Sequence, residues 1–165
     1  MKRVFVLMIL SLAACRASAP AVAPSSTTFD PVAFFTGRSH GDAMLDQMFK
    51  PRRRVTVDSR GKVSADGTLR LDQHIVTEGE APRDRLWILR PTSPGHWTGS
   101  LTDAVGPVDT AMESGAFHVR YAMKGGLKVE QWLVPIPGRA ALDNNLSVYK
   151  FGLRVADLHE VIVRR

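Results

Sequence analysis

Period-two alternation of apolar and polar side chains runs through most of the chain beyond Phe34. In GTLRLDQHIV, Leu69, Leu71 and Ile75 share one face while Arg70, Asp72 and His74 share the other. AFHVRYAM places Phe117, Val119, Tyr121 and Met123 against His118 and Arg120, and RRRVTVD sets Val55 and Val57 against Arg54, Thr56 and Asp58. A repeat of two is the signature of strands with one packed face and one wet face. Long runs with helical spacing are missing.

Turn signals punctuate the pattern at short intervals: Arg60-Gly61, Asp66-Gly67, Pro94-Gly95, Gly106-Pro107, Gly125-Gly126 and Pro137-Gly138. They predict strands near 34–40, 42–49, 52–59, 67–77, 83–91, 96–102, 108–114, 116–124, 127–136, 140–149 and 156–164, with one or two merging to leave about nine or ten. Many short strands joined by tight turns suit an all-β, antiparallel up-and-down barrel. Closure removes the edges on which other chains would pair. A β-sandwich is the alternative.

The N-terminus breaks the pattern. Lys2 and Arg3 precede an apolar run from Val4 to Ala14. That run is shorter than the roughly 20 residues a membrane-spanning helix needs, and it matches a secretory signal. Ala17-Ser18-Ala19 fits an ordinary cleavage site. Leu12-Ala13-Ala14-Cys15 resembles the lipobox of bacterial lipoproteins, in which the cysteine receives a diacylglycerol and becomes the acylated N-terminus. Cys15 is the only cysteine, so neither an internal disulfide nor a cysteine-based zinc site is open to it. The expected organisation is a signal peptide at 1–14, a lipidated Cys15 with a flexible Ala/Pro/Ser/Thr tether at 15–31, and one barrel domain at 32–165. The tether has a root-mean-square reach of roughly 20 Å.

Composition changes this picture little. The 165 residues are 44% hydrophobic and 23% charged, and the net charge of +6 drops to +4 without Lys2 and Arg3. That excess gives solubility and weak attraction to anionic surfaces without specifying nucleic acid. KPRRR (50–54) reads as the wet face of a strand leaving a turn, with contact to lipid phosphates as its functional alternative.

Catalytic chemistry has no positive signal. Histidines 40, 74, 96, 118 and 159 show no metal-ligand spacing, and His74 and His118 lie on polar faces where solvent exposure is expected. There is no nucleophile elbow and no phosphate-binding loop. No catalytic residue, metal or cofactor is assigned.

Polar residues on apolar faces are more informative. Gln73 interrupts Leu69, Leu71 and Ile75; Asn144 shares a phase with Leu142, Leu146 and Val148; Glu130 shares one with Trp132, Val134 and Ile136. A buried polar group without a partner costs about 1–3 kcal/mol. Inside a barrel these residues would pair with Arg85 or Arg120, or with a ligand head group. A structural hydrogen-bond network, a bulge or a shifted strand phase is the favoured explanation of them. Trp87, Trp132 and Tyr121 are candidate walls for such a ligand, whereas Trp97 reads as core.

Arg85-Leu-Trp87, GHWTGSLTDAVGP (95–107), Arg120-Tyr121, Glu130-Gln-Trp132 and Lys150-Phe151-Gly152 occur in an order and spacing that resembles a family of bacterial lipoproteins of unknown function with a lipocalin-like barrel. The resemblance covers about residues 33–165. It implies secretion, membrane anchoring and a calycin-type fold. This chain departs from the family pattern at Gln73 and at Asn144-Asn145. Glu160 also falls on an apolar phase, with Ala156, Leu158 and Ile162, but the resemblance gives it no support. In similar lipoproteins of bacteria with two membranes, a residue other than Asp after the cysteine, here Arg16, permits transport to the periplasmic face of the outer membrane.

The expected function is therefore that of a lipid-anchored envelope protein binding a small amphiphile or lipid in its barrel. The alternative is a non-catalytic envelope scaffold with a filled interior that binds another protein. Neither nucleic acid nor a cofactor enters either reading.

Overall fold

The structure, a computed structural model, describes residues 29–165. The signal segment, Cys15 and the tether up to residue 28 lie outside the described residues. A five-residue helix α1 (Pro31–Phe35) precedes ten strands: β1 (Gly37–Gln47), β2 (Arg53–Val63), β3 (Leu69–Thr77), β4 (Arg83–Ser93), β5 (His96–Leu101), β6 (Val108–Glu113), β7 (Ala116–Met123), β8 (Leu127–Pro135), β9 (Ala141–Lys150) and β10 (Leu153–Arg164). A single 3-10 turn at Lys124–Gly126 joins β7 to β8.

Each strand pairs antiparallel with the next, and β1 pairs with β10 from Ser39↔Arg164 to Gln47↔Ala156, closing the barrel. The architecture is the all-β, up-and-down barrel that the alternation predicts, lipocalin-like and with ten strands. Segments 34–40 and 42–49 are the ones that merge, into β1. The chain runs straight through Gly41, whose backbone lies under the Glu160 side chain: a Cβ at Gly41 would sit 1.8 Å from Glu160 Oε1.

Helix α1 is where 34–40 departs from the predicted strand. Asp30 caps it, accepting from the backbone N–H of Val32 at 2.9 Å and Ala33 at 3.1 Å, and Pro31 supplies the preset φ of a first helical residue. Thr36 ends it by bonding back to Val32 O. The helix folds over one end of the barrel and buries Phe34 and Phe35 against Leu69, Leu71, Leu133 and Leu142. Gly61 on β2 makes room for it, since a Cβ there would meet the Phe35 carbonyl oxygen at 1.8 Å. Phe29 packs on the same core and edge-on to Phe34, so ordered contacts begin within the residues expected to be tether.

Candidate functional site

The inward face of the barrel carries two apolar clusters. The larger includes Phe34, Phe35, Leu69, Leu71, Trp87, Val119, Tyr121, Leu133 and Ile162; the smaller is Ala43, Val55, Val57 and Ile75, flanked by Leu45 and Leu158. Polar side chains lie between them along successive strands. On β2 the order is Val57, Ser59, Gly61; on β3 it is Ile75, Gln73, Leu71; on β10 it is Leu158, Glu160, Ile162. Ser39, Ser59, Gln73 and Arg85 are paired in register across β1 to β4, and Glu160 faces Asn144 across β10 and β9.

Gln73 organises the first half of this belt. Its Oε1 accepts from Arg85 Nε at 2.9 Å and from Trp87 Nε1 at 2.7 Å, and its Nε2 donates to Ser59 Oγ at 3.1 Å. The Arg85 guanidinium lies 5.4 Å from the centre of the Trp87 ring, and that ring stands edge-on to Tyr121. Arg85 has five N–H donors; among the described residues only Nε uses one. Some of its surface remains accessible, yet it is surrounded by barrel wall. Loss of hydration therefore pulls its pKa below that of an ordinary arginine, while the fields of Tyr121, Asp103 and Glu160 oppose that fall. Burial likewise raises the Tyr121 hydroxyl, with Arg85 opposing.

In the second half, Asn144 Nδ2 donates to Glu160 Oε2 at 2.6 Å. Glu160 is 6% exposed. Burial raises its pKa above the usual 4.5, against the hydrogen bond from Asn144 and the field of Arg85. Ser39 Oγ and Asn144 Oδ1 are buried with no hydrogen-bond partner among the described residues. The belt thus holds a buried carboxyl, an arginine with four unused donors and two orphaned oxygens.

The two ends of the lumen differ. At the α1 end, inward Leu69, Leu133 and Leu142 are fully buried. At the opposite end, inward Leu45, Leu127, Leu146, Val148 and Leu158 are only half-buried. That end is the more exposed of the two.

Of the predicted lining residues, the structure brings Gln73, Arg85, Trp87, Tyr121 and Asn144 inside the barrel. It corrects three. Arg120, Glu130 and Trp132 point outward, because β7 turns Val119 and Tyr121 inward and β8 turns Val129, Gln131 and Leu133 inward. The apolar phase of Trp132 and Val134 is an outer stripe, and Trp132 is covered by a neighbouring ring rather than by the core. Its indole stacks on His118 at 3.7 Å with 9° between the planes. His118, expected to be exposed, is only 4% exposed on that outer face, with Nδ1 3.0 Å from Glu113 and Nε2 2.9 Å from Glu130. Arg120 pairs with Asp109 at 2.8 Å. Glu160 is the residue that sequence reasoning set aside, and its phase with Ala156, Leu158 and Ile162 was the signal for it.

Two open cavities are present. One, of about 970 Å³, crosses β1 to β4 and is lined by Ser39, Ser59, Gln73 and Arg85 of the inner belt as well as by outward-facing Arg38, Arg60, Asp72 and Asp84. The other, of about 810 Å³, lies along β7 to β9 beside Arg120, Lys128, Glu130, Tyr149 and Phe151. Among the described residues no group of three His, Cys, Asp or Glu side chains is placed to hold a metal ion.

The model of a family described as "Protein of unknown function (DUF3833)" matches residues 9–164. The chain belongs to that family. No curated protein matches it. Among solved structures, this DUF3833 barrel is similar to the S-type phycobiliprotein lyase CPES from Guillardia theta, with a TM-score of 0.63 and 10% identity over 81% of this chain and 90% of that one. At such identity the likeness concerns the fold: a ten-strand, lipocalin-like barrel. The belt of Gln73, Arg85, Asn144 and Glu160 stands on this chain's own geometry.

Proposed function

We propose that this protein is an envelope binding protein that takes a small amphiphile into the open end of its barrel. The observation that supports this most is Arg85, turned into the lumen with four N–H groups unused. A cation taken largely out of bulk water with Gln73 Oε1 as its single acceptor among the described residues is costly. A carboxylate or phosphate head group would accept from its planar fork and compensate the charge. Half-buried Leu45, Leu146, Val148 and Leu158 offer apolar surface for the attached tail. Apolar walls with a few placed polar groups are the usual make-up of a ligand site.

The test uses residues 16–165, which keep every described contact, purified without detergent. Native mass spectrometry should show a retained lipid, and a fluorescent fatty acid should bind saturably. Arg85→Met should weaken that binding by about tenfold or more, the loss expected for a charge-assisted contact, and leave the melting temperature unchanged or higher. A barrel that retains no lipid and shows no saturable uptake would overturn the reading and leave the scaffold alternative.

The location proposed with this function rests on Cys15 as the acylated residue. A diacylated cysteine gives stable anchoring, since each buried CH₂ contributes about 0.8 kcal/mol. Cys15→Ser should remove the acyl anchor without altering the fold of the barrel. Mass spectrometry of the processed wild-type N-terminus should show an acylated Cys15, and an unmodified Cys15 on the processed protein would refute acylation at this position.

A further inference from the structure

The largest exposed apolar side chains gather at the open end of the barrel. Met48 and Phe49 form the tip of the β1–β2 turn, and Phe151 and Leu153 the tip of the β9–β10 turn, with Phe49 98% and Phe151 91% exposed. The two tips are neighbours: β1 pairs with β10, and Met48 N donates to Val155 O. Val105, in the β5–β6 loop of the same end, is exposed as well.

Local backbone preference argues against phenylalanine at both tips. Lys50 N donates to Gln47 O, closing a turn whose third residue is Phe49 at φ 63°, where glycine is the usual choice. Phe151 and Gly152 both have positive φ, 52° and 81°, in a two-residue hairpin that favours Asn-Gly. The β6–β7 hairpin uses Ser114-Gly115 in the same conformation. A bulky side chain at positive φ is a conformational outlier. Neither ring is covered by the rest of the barrel, so packing does not explain them.

The carboxylates at this end have partners within the protein: Asp46 with Arg52, Asp157 with Arg154, Glu80 with Arg53, Asp103 with Arg83, Asp109 with Arg120 and Asp84 with His74, while Glu78 accepts from the Arg54 backbone N–H. Lys50, Lys124, Lys128 and Lys150 form no ion pair among the described residues; Lys150 lies over the Phe151 ring at 5.7 Å, and Lys50 contributes to the field at Glu80. Exposed aromatic tips ringed by free lysines match the chemistry of an anionic bilayer surface, where rings enter the acyl boundary and ammonium groups meet phosphates.

We infer that the open end of the barrel is a membrane-docking face, with Phe49 and Phe151 inserted into an anionic phospholipid surface and Lys50, Lys124, Lys128 and Lys150 on its phosphates. This goes beyond ligand binding and does not require it. The chain outside the structure is compatible with docking: fourteen residues from Cys15 to Thr28 extend to about 46 Å, and tilted eleven-residue strands stand roughly 28 Å tall. An anchor attached by way of Phe29 at the α1 end therefore reaches the bilayer on which the opposite end rests.

The experiment is co-sedimentation of residues 16–165, unacylated, with vesicles of phosphatidylcholine alone and of phosphatidylcholine mixed with phosphatidylglycerol. The protein should partition to the mixed vesicles, and added salt should weaken that partition. The paired variant Phe49→Gly, Phe151→Asn suits both turns, so it should melt at the same temperature or higher. It should nonetheless lose partition by about tenfold or more, the effect of removing two buried rings. Arg85→Met should partition like the wild type, which separates this face from the lumen. Failure of the wild type to bind mixed vesicles, or equal partition of the paired variant, would overturn the inference. A self-associated species that the paired variant dissolves, without vesicle binding, would assign the face to protein contact instead.

Discussion

The two ends of this barrel are built from the same alternating strands and put to opposite use. At one end α1 lies across the opening, and Phe34 and Phe35 join Leu69, Leu133 and Leu142 in a sealed core. At the other, inward leucines remain half wet, an arginine faces the lumen with most of its donors unused, and two phenylalanines stand in solvent at strained turns. Exposed apolar groups and unmet polar ones are both unfavourable. Under the proposed function, their concentration at one end, opposite a well-packed one, divides the labour: stability resides with the plug and recognition with the mouth.

Truncation gives the sharpest way to break this comparison. Phe34→Ala removes a ring from the sealed end and should cost about 3–5 kcal/mol in urea-induced unfolding. Leu146→Ala at the open end removes a side chain that stays partly exposed in the folded state and should cost less, about 1–2 kcal/mol. Equal costs at both ends would show that the open end is packed as tightly as the plugged one. The amphiphile would then have no way in.

Much of this was legible in the chain. Strict alternation in GTLRLDQHIV and AFHVRYAM fixes strand identity and face, because one buried face leaves no freedom of register. Gln73 and Asn144 announced themselves as polar residues in apolar phase and are interior as expected. The plug was less visible: PVAFF is too short for helical periodicity, and only Asp30-Pro31 marked a helix start. Trp132 misled because a large aromatic is taken for core, whereas here it is covered from outside by His118 in a cross-strand stack. Glu160 carried the right phase, but an isolated acid among apolar residues is easily dismissed. Only its meeting with Asn144 across the β9–β10 hairpin and, through barrel closure, with the bare backbone of Gly41 shows why it fits.

Glu160 also provides the finest test, through the sign of its linkage to folding. Burial raises its folded pKa above the unfolded value near 4.5. Between those two values the folded state retains a proton that the unfolded chain releases, so stability falls as pH rises through the interval and stays lower above it. Glu160→Gln removes the titration and keeps an oxygen to accept from Asn144 Nδ2. The variant should match the wild type in urea unfolding below pH 4.5 and exceed it at neutral pH, with the difference opening upward. The opposite outcome, a variant that loses stability at neutral pH, would mean that the carboxylate is ionised and held by Arg85 across the lumen. The arginine would then be neutralised from within, and the open end would lack the free charge that distinguishes it from the plugged one.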